Sequence, residues 1–217
     1  LAGGLIADLG SEAQQEHIEA LIGGTLQLAF AHGEPTSRYD LERVTTTASQ
    51  NGSDIVLNGR KAVVANAEAA DMLVVSARES GEAGDQAGIS LFLVPADTKG
   101  LTVTGYALLA GGRAAEVTLD DVTLPESARL GETGKAFDAI EARVAVATTA
   151  LCAETLGAME TACDLTREYL GTRKQFGRPI GSFQALAHRM SDLLIDLEQA
   201  RSAVINAAGH LADDRAS

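Results

Sequence analysis

The sequence is short of cations, of cysteine and of long apolar runs, and each shortage excludes a class of function. Seventeen Lys and Arg stand against thirty Asp and Glu, a net charge of −13. A nucleic-acid binder needs a positive surface to meet the phosphate backbone, so nucleic acid is excluded as a partner. No stretch approaches the roughly 20 consecutive apolar residues of a membrane span, and no membrane insertion is expected. The cysteines are Cys152 and Cys163 alone, both on one helical pattern. Eleven residues of helix rise put them about 16 Å apart, too far for a disulfide. Two buried free thiols in a cytoplasmic protein are the expectation. His17, His188 and His210 lack metal-ligand spacing, so no metal site is expected, whereas His32 reads either as site lining or as a turn residue. No targeting signal stands out. The chain begins at Leu1 rather than at methionine and ends inside helix-like sequence, which suggests a fragment.

What is present is a substantial apolar fraction, 46% of 217 residues, distributed over three regions with two periodicities. Residues 1–25 read as helix with a break, Ser11 capping a second segment that starts at Glu12. Residues 26–131 read as short strands at Leu26–Ala31, Val44–Ser49, Asp54–Leu57, Ala62–Asn66, Met72–Arg78, Ile89–Pro95, Leu101–Tyr106 and Glu116–Leu119. Turn signals punctuate them at Asn51-Gly52, Asn58-Gly59, Lys99-Gly100 and Gly111-Gly112. The charged, Gly-rich stretch Glu79–Gly88 reads as a mobile hairpin tip, and Asp120–Gly131 as a polar loop. Residues 132–217 read as helix: Leu186, Met190, Leu193, Leu194, Leu197, Val204, Ala208 and Leu211 form one apolar stripe. The expected fold is α+β and multidomain. An antiparallel β-barrel or sandwich is followed by antiparallel helices of an up-down bundle.

The chain turns between two long helical patterns, about Phe137–Leu170 and Phe183–Leu211. The turn is Glu168-Tyr169-Leu170-Gly171-Thr172-Arg173-Lys174-Gln175-Phe176-Gly177-Arg178-Pro179-Ile180-Gly181-Ser182-Phe183-Gln184. Gly171, Gly177, Pro179 and Gly181 break the helix, and Arg173, Lys174 and Arg178 crowd the break. Two readings stand. The cations form an anion site, since guanidinium binds phosphate oxygens in bidentate fashion, or they solvate the end of a hairpin and complement a helix C-terminus.

Tyr-x-x-x-Arg-x-Gln-Phe-Gly-x-Pro-Ile-x-x-Phe-Gln resembles the helix-to-helix signature of the acyl-CoA dehydrogenase family, without a gap. The order of helical end, β region and helical hairpin resembles that family's layout of helical bundle, middle β domain and second bundle. The resemblance implies FAD as cofactor and an acyl-CoA thioester as substrate. It also implies α,β-dehydrogenation, as in fatty-acid β-oxidation, and an external electron acceptor such as an electron-transfer flavoprotein. It places Arg173 at the pyrophosphate of an FAD held mainly by the neighbouring subunit, with Phe176 and Gln184 close to the same dinucleotide, and implies a homo- or hetero-oligomer.

Two segments depart from the family pattern. His32-Gly33-Glu34-Pro35-Thr36-Ser37-Arg38-Tyr39-Asp40 resembles a flavin-facing Thr-Glu-Pro-x-x-Gly-Ser-Asp segment, with Gly33 in place of the threonine and Tyr39 in place of the serine that faces substrate. Val63-Val64-Ala65-Asn66 resembles Trp-Ile-Thr-Asn, with Val63 in place of the tryptophan and Ala65 in place of the threonine. Backbone N–H groups at Gly33 and Ala65 remain as flavin contacts. The Ser-Arg-Tyr-Asp-Leu run is similar to that of pimeloyl-CoA dehydrogenase small subunits, which implies that Arg38 and Tyr39 face a dicarboxylyl substrate. The competing reading pairs Arg38 with Asp40 or Glu42 at the surface. No catalytic base is identifiable. Some relatives carry a glutamate on the first helix of the hairpin, and the matching position here is Ala147. Glu141 and Glu154 flank it as ordinary helix-surface carboxylates. A non-catalytic partner subunit of the same fold is the alternative function.

Overall fold

The computed structural model describes residues 1–213. It divides into two compact units, Leu1–Val144 and Ala145–Ser217. In the first unit, helix α1 (Ala2–Leu9) and helix α2 (Glu12–Ile22) precede the strands. Ser11 caps α2 in a full capping box with Gln14, each side chain meeting the other's backbone N–H.

Eight strands form one sheet: β1 (Leu28–Ala31), β2 (Thr47–Asn51), β3 (Asp54–Ala65), β4 (Met72–Arg78), β5 (Ile89–Pro95), β6 (Leu101–Ala107), β7 (Arg113–Pro125) and β8 (Arg129–Leu130). The order is β6-β7-β3-β2-β4-β5-β8, with β1 pairing β4. Of the expected barrel or sandwich, a closed barrel is not formed, because the path ends in two free edges at β6 and β8. Nor is the sheet wholly antiparallel: β1 and β2 both run parallel to β4.

Alternation along β4 and β5 explains their long apolar runs. Leu73, Val75, Ala77, Phe92 and Val94 pack into one core, and Val74, Ile89, Leu91 and Leu93 into a second core on the opposite face. That second core is closed by Leu5 and Ile6 of α1 and by Phe137 and Ile140. Strands buried on both faces read as continuous hydrophobic sequence.

Three expectations for this unit are corrected. Asn58-Gly59 is not a hairpin turn but a bulge inside the twelve-residue β3. Gly59 has φ +154°, and a Cβ there would lie 2.7 Å from the Thr46 Cα, so the strand needs glycine to pass. Asp120–Gly131 is not a loop, since β7 runs to Pro125 and a 3₁₀ turn leads into β8. Asn58 and Asp121 exchange hydrogen bonds across the bulge, 3.0 and 2.8 Å, which is why polar residues occupy a strand.

The Glu79–Gly88 stretch is tied down rather than mobile. The buried Arg78 guanidinium donates to the carbonyls of Val44, Ser80, Ala87, Glu42, Ala83 and Asp85, at 2.8–3.3 Å. Replacing Arg78 with Met should lower the unfolding free energy by about 2–3 kcal/mol, since it strands buried carbonyls. Urea melts would read the loss, and faster proteolysis within Glu79–Gly88 should accompany it.

Helix α3 (Phe137–Thr172) begins in the first unit and continues through the second. A short hairpin of β9 (Lys174–Gln175) and β10 (Arg178–Pro179) then leads to helix α4 (Gln184–Asp213). The two helices run antiparallel, tied by Arg201 to Glu160 at 2.7 Å. In this hairpin Leu197 and Cys163 are buried, while Leu193 and Leu194 of the expected stripe are exposed, with Leu151, Leu165, Ile195 and Ile205. Cys152 is exposed, contrary to expectation.

Candidate functional site

β1 ends at Ala31 and runs into the segment His32–Asp40, which curls back through turns at Ser37 and Asp40. The Gly33 carbonyl accepts a 2.8 Å hydrogen bond from the Ala62 N–H. This bond joins two of the segments singled out in the sequence. A Cβ on Gly33 would meet only the Ala62 carbonyl, at 3.5 Å, so the backbone does not demand glycine there. β3 shifts register against β7 between Lys61 and Val64, and Val63, within the shift, has φ +54°. That conformation is a genuine outlier for a β-branched residue and marks a re-aimed backbone. The Val63 N–H points to Glu116 Oε1 at 3.4 Å, and the Tyr106 hydroxyl donates to the same oxygen at 2.9 Å. Ala65 is exposed at the end of β3, and Asn66 follows in a left-handed conformation.

Beneath these segments lies a buried polar network that sequence reading missed. The Lys61 side chain is 0% exposed, and its ammonium donates to Glu34 Oε1 at 2.8 Å, Ser76 Oγ at 3.0 Å and the His32 carbonyl at 3.2 Å. Glu34 also accepts from the Thr46 N–H and hydroxyl, 2.9 and 2.7 Å, and from the Thr45 N–H at 2.8 Å and its hydroxyl. Since Ser76 Oγ accepts from Lys61, its own proton goes to His32 Nδ1, 2.9 Å away, which leaves the imidazole neutral with the hydrogen on Nε2. Burial, and then the Lys61 charge, lower the His32 pKa to about 4. Burial would raise Glu34, but the Lys61 charge and the hydrogen bonds from Lys61, Thr45 and Thr46 outweigh it and leave Glu34 at about 2. Burial lowers Lys61 to about 8, against the pull of Glu34. One sequence signal was available: Lys61 shares its strand with the apolar Leu57 and Val64 and needs a partner if buried, and Glu34 precedes the first of two threonines by eleven residues.

Arg38 (φ +51°) and Tyr39 sit on the exposed rim of the His32–Asp40 segment, Tyr39 being 96% exposed. Among the described residues Arg38 makes no ion pair, with neither Asp40 nor Glu42.

At the helical corner, Phe176 and Gly177 both take positive φ, +53° and +78°. They form the two-residue turn between β9 and β10, whose geometry is type I′. Phenylalanine is poorly suited to that position, yet Phe176 is held there 89% exposed, edge-on to Phe183 at 6.0 Å. Strain of this kind persists where a side chain must be presented. Phe176→Asn should raise stability by about 1 kcal/mol, read as a higher thermal midpoint. Arg178 is already engaged, its guanidinium stacked 4.3 Å over the Phe183 ring. Arg173, in contrast, is exposed and has no ion pair or side-chain hydrogen bond among the described residues. Gln184, the first residue of α4, is likewise exposed. The corner therefore offers an uncommitted guanidinium, the Lys174 ammonium and a presented aromatic. This donor set suits an anionic dinucleotide.

The architecture is that of a known family. Residues 29–122 match the acyl-CoA dehydrogenase middle domain and residues 134–217 the acyl-CoA dehydrogenase C-terminal domain. The chain belongs to the acyl-CoA dehydrogenase family. A probable acyl-CoA dehydrogenase of Bacillus subtilis, YngJ, is 34% identical over 91% of this chain and 53% of its own length. CarC, a subunit of the caffeyl-CoA reductase–Etf complex of Acetobacterium woodii, is 33% identical over 96% of this chain and 56% of its own. A solved FAD-dependent dehydrogenase superposes with TM-score 0.87 at 31% identity, covering 97% of this chain and 57% of that one. The chain spans about half the length of the curated relatives it matches. Among the described residues no helix is long and apolar enough to cross a membrane.

Proposed function

We propose that this chain supplies part of an FAD-dependent acyl-CoA dehydrogenase that converts an acyl-CoA thioester to the 2-enoyl-CoA. Arg173, exposed and uncommitted at the helical corner, is the observation that carries the reading. Bound FAD would supply the hydride acceptor for the β hydrogen. Arg173 would reach the pyrophosphate of an FAD held mainly by a neighbouring subunit through charge-assisted bonds, with Phe176 and Gln184 beside that dinucleotide. In the β unit, Gly33 and Ala65 would meet this subunit's own flavin through backbone groups, since neither carries a hydroxyl. The base that removes the α proton is not assigned to any residue here. The parts are proposed as an N-terminal helical remnant (1–25), a middle domain (26–131) and the first C-terminal helices (132–217). Cytoplasmic location and transfer of electrons to an electron-transfer flavoprotein belong to the same proposal, the latter supported by the Etf-complex membership of CarC.

Exposed leucines and isoleucines on α3 and α4 support association as a homo- or hetero-oligomer. Sedimentation of a monomer at micromolar concentration would contradict that. A second reading, favoured by an Arg38 guanidinium without an ion pair among the described residues, is a dicarboxylyl-CoA substrate whose distal carboxylate meets Arg38. One assay tests both activity and substrate. The full-length protein should reduce an electron acceptor with acyl-CoA, and Arg38→Ala should selectively lose the dicarboxylyl thioester. Loss of both substrates alike would remove the second reading, and no turnover with either would favour the non-catalytic partner subunit.

A further inference from the structure

Lys61 reaches out of β3 into the sheet interior and is saturated by three acceptors on two other segments: the His32 carbonyl and Glu34 from the segment after β1, and Ser76 on β4. Glu34 is in turn fastened to Thr45 and Thr46 ahead of β2. No buried side-chain nitrogen or oxygen among the described residues lacks a partner, so the network is complete. Its members flank the Gly33–Ala62 contact and the register shift of β3 at Val63. Gly33 lies between His32 and Glu34, and its carbonyl meets Ala62; Val63, at positive φ, follows two residues after Lys61. A buried ion pair is seldom a gain in stability over an apolar pair, but it fixes a geometry that an apolar pair would not.

From this juxtaposition we infer that Lys61 and Glu34, bridged by Ser76 to His32, are positioning residues. They hold the Gly33 segment against the Val63 bulge, the two stretches whose backbone groups would meet the flavin. The inference deepens the FAD reading and rests on it for the identity of the ligand. The clamp itself, Lys61 and Glu34 locking the Ala62–Gly33 contact, is a statement about the protein alone.

The test pairs Lys61→Met with the milder Ser76→Ala in the full-length protein. Two quantities are read: amide hydrogen exchange without FAD, and FAD affinity well below each variant's melting point. Lys61→Met leaves Glu34 with the Thr45 and Thr46 donors. Exchange at Ala62 should rise about 10-fold or more while the β5 amides stay protected, and FAD should bind about 10-fold more weakly. Ser76→Ala should move both quantities in the same direction by less, and it decides the matter if Lys61→Met does not fold. Exchange that rises equally through β5, or is unchanged at Ala62, would overturn the clamp. Local loosening at Ala62 with FAD affinity unchanged would overturn the positioning role. If the wild type binds no FAD, the FAD reading fails on that result, and the exchange comparison still decides whether the clamp exists.

Discussion

Acidification from pH 7 to pH 4 is expected to remove about 4 kcal/mol of stability, a large part of the 5–15 kcal/mol typical of a folded domain. Two buried groups produce this loss with the same sign. His32 is held neutral with its pKa lowered from 6.5 to about 4, so between those values the unfolded chain takes a proton that the native chain refuses. The stability it contributes is present above pH 6.5 and lost as the pH falls toward 4. Glu34 is lowered from 4.5 to about 2, so its contribution is present above 4.5 and lost as the pH falls through 2. Each full shift is worth about 3 kcal/mol. By pH 4 nearly all of the His32 share and a fraction of the Glu34 share have gone. Lys61, lowered to about 8, is protonated in both states below pH 7 and drops out of this window. Urea midpoints at pH 7, 5.5 and 4 would check the slope, and His32→Gln should flatten the upper half of it. A midpoint that does not move between pH 6.5 and 5 would contradict a buried, neutral His32.

Arg173→Ala is expected to weaken FAD binding about 10- to 150-fold, since a charge-assisted contact contributes about 1.5–3 kcal/mol. Arg178→Ala should change it far less, because that guanidinium is already stacked on the Phe183 ring. Folding should survive the Arg173 change, since its side chain is exposed and makes no ion pair among the described residues. Equal FAD retention by wild type and Arg173→Ala would make the corner a structural turn.

The parts of the fold that were legible in the sequence are those where one periodicity rules without interruption. Met72–Arg78 and Ile89–Pro95 are strands with the expected bounds because both faces of each are buried and the apolar runs are unbroken. β3 and β7 were harder to read because their middles carry Asn58-Gly59 and Asp120-Asp121, residues that usually end a strand. Here the bulge turns them outward and pairs Asn58 with Asp121. Arg78 could not be read as the anchor of its loop, since its acceptors are backbone carbonyls, which leave no mark in side-chain chemistry. Of the site, the helical corner was legible as a local motif. The Lys61 network was not, because Ser76 lies 44 residues beyond His32 and only the parallel pairing of β1 with β4 brings them together. The strain at Phe176 was equally hidden, since a type I′ turn normally announces itself with asparagine.

The visible spectrum of the full-length protein, before and after anaerobic addition of an acyl-CoA, tests the central claim most directly. A flavin band near about 450 nm that bleaches on addition of the thioester is the predicted result. A colourless protein that takes up no FAD, or a bound flavin that no acyl-CoA reduces, would contradict the dehydrogenase reading.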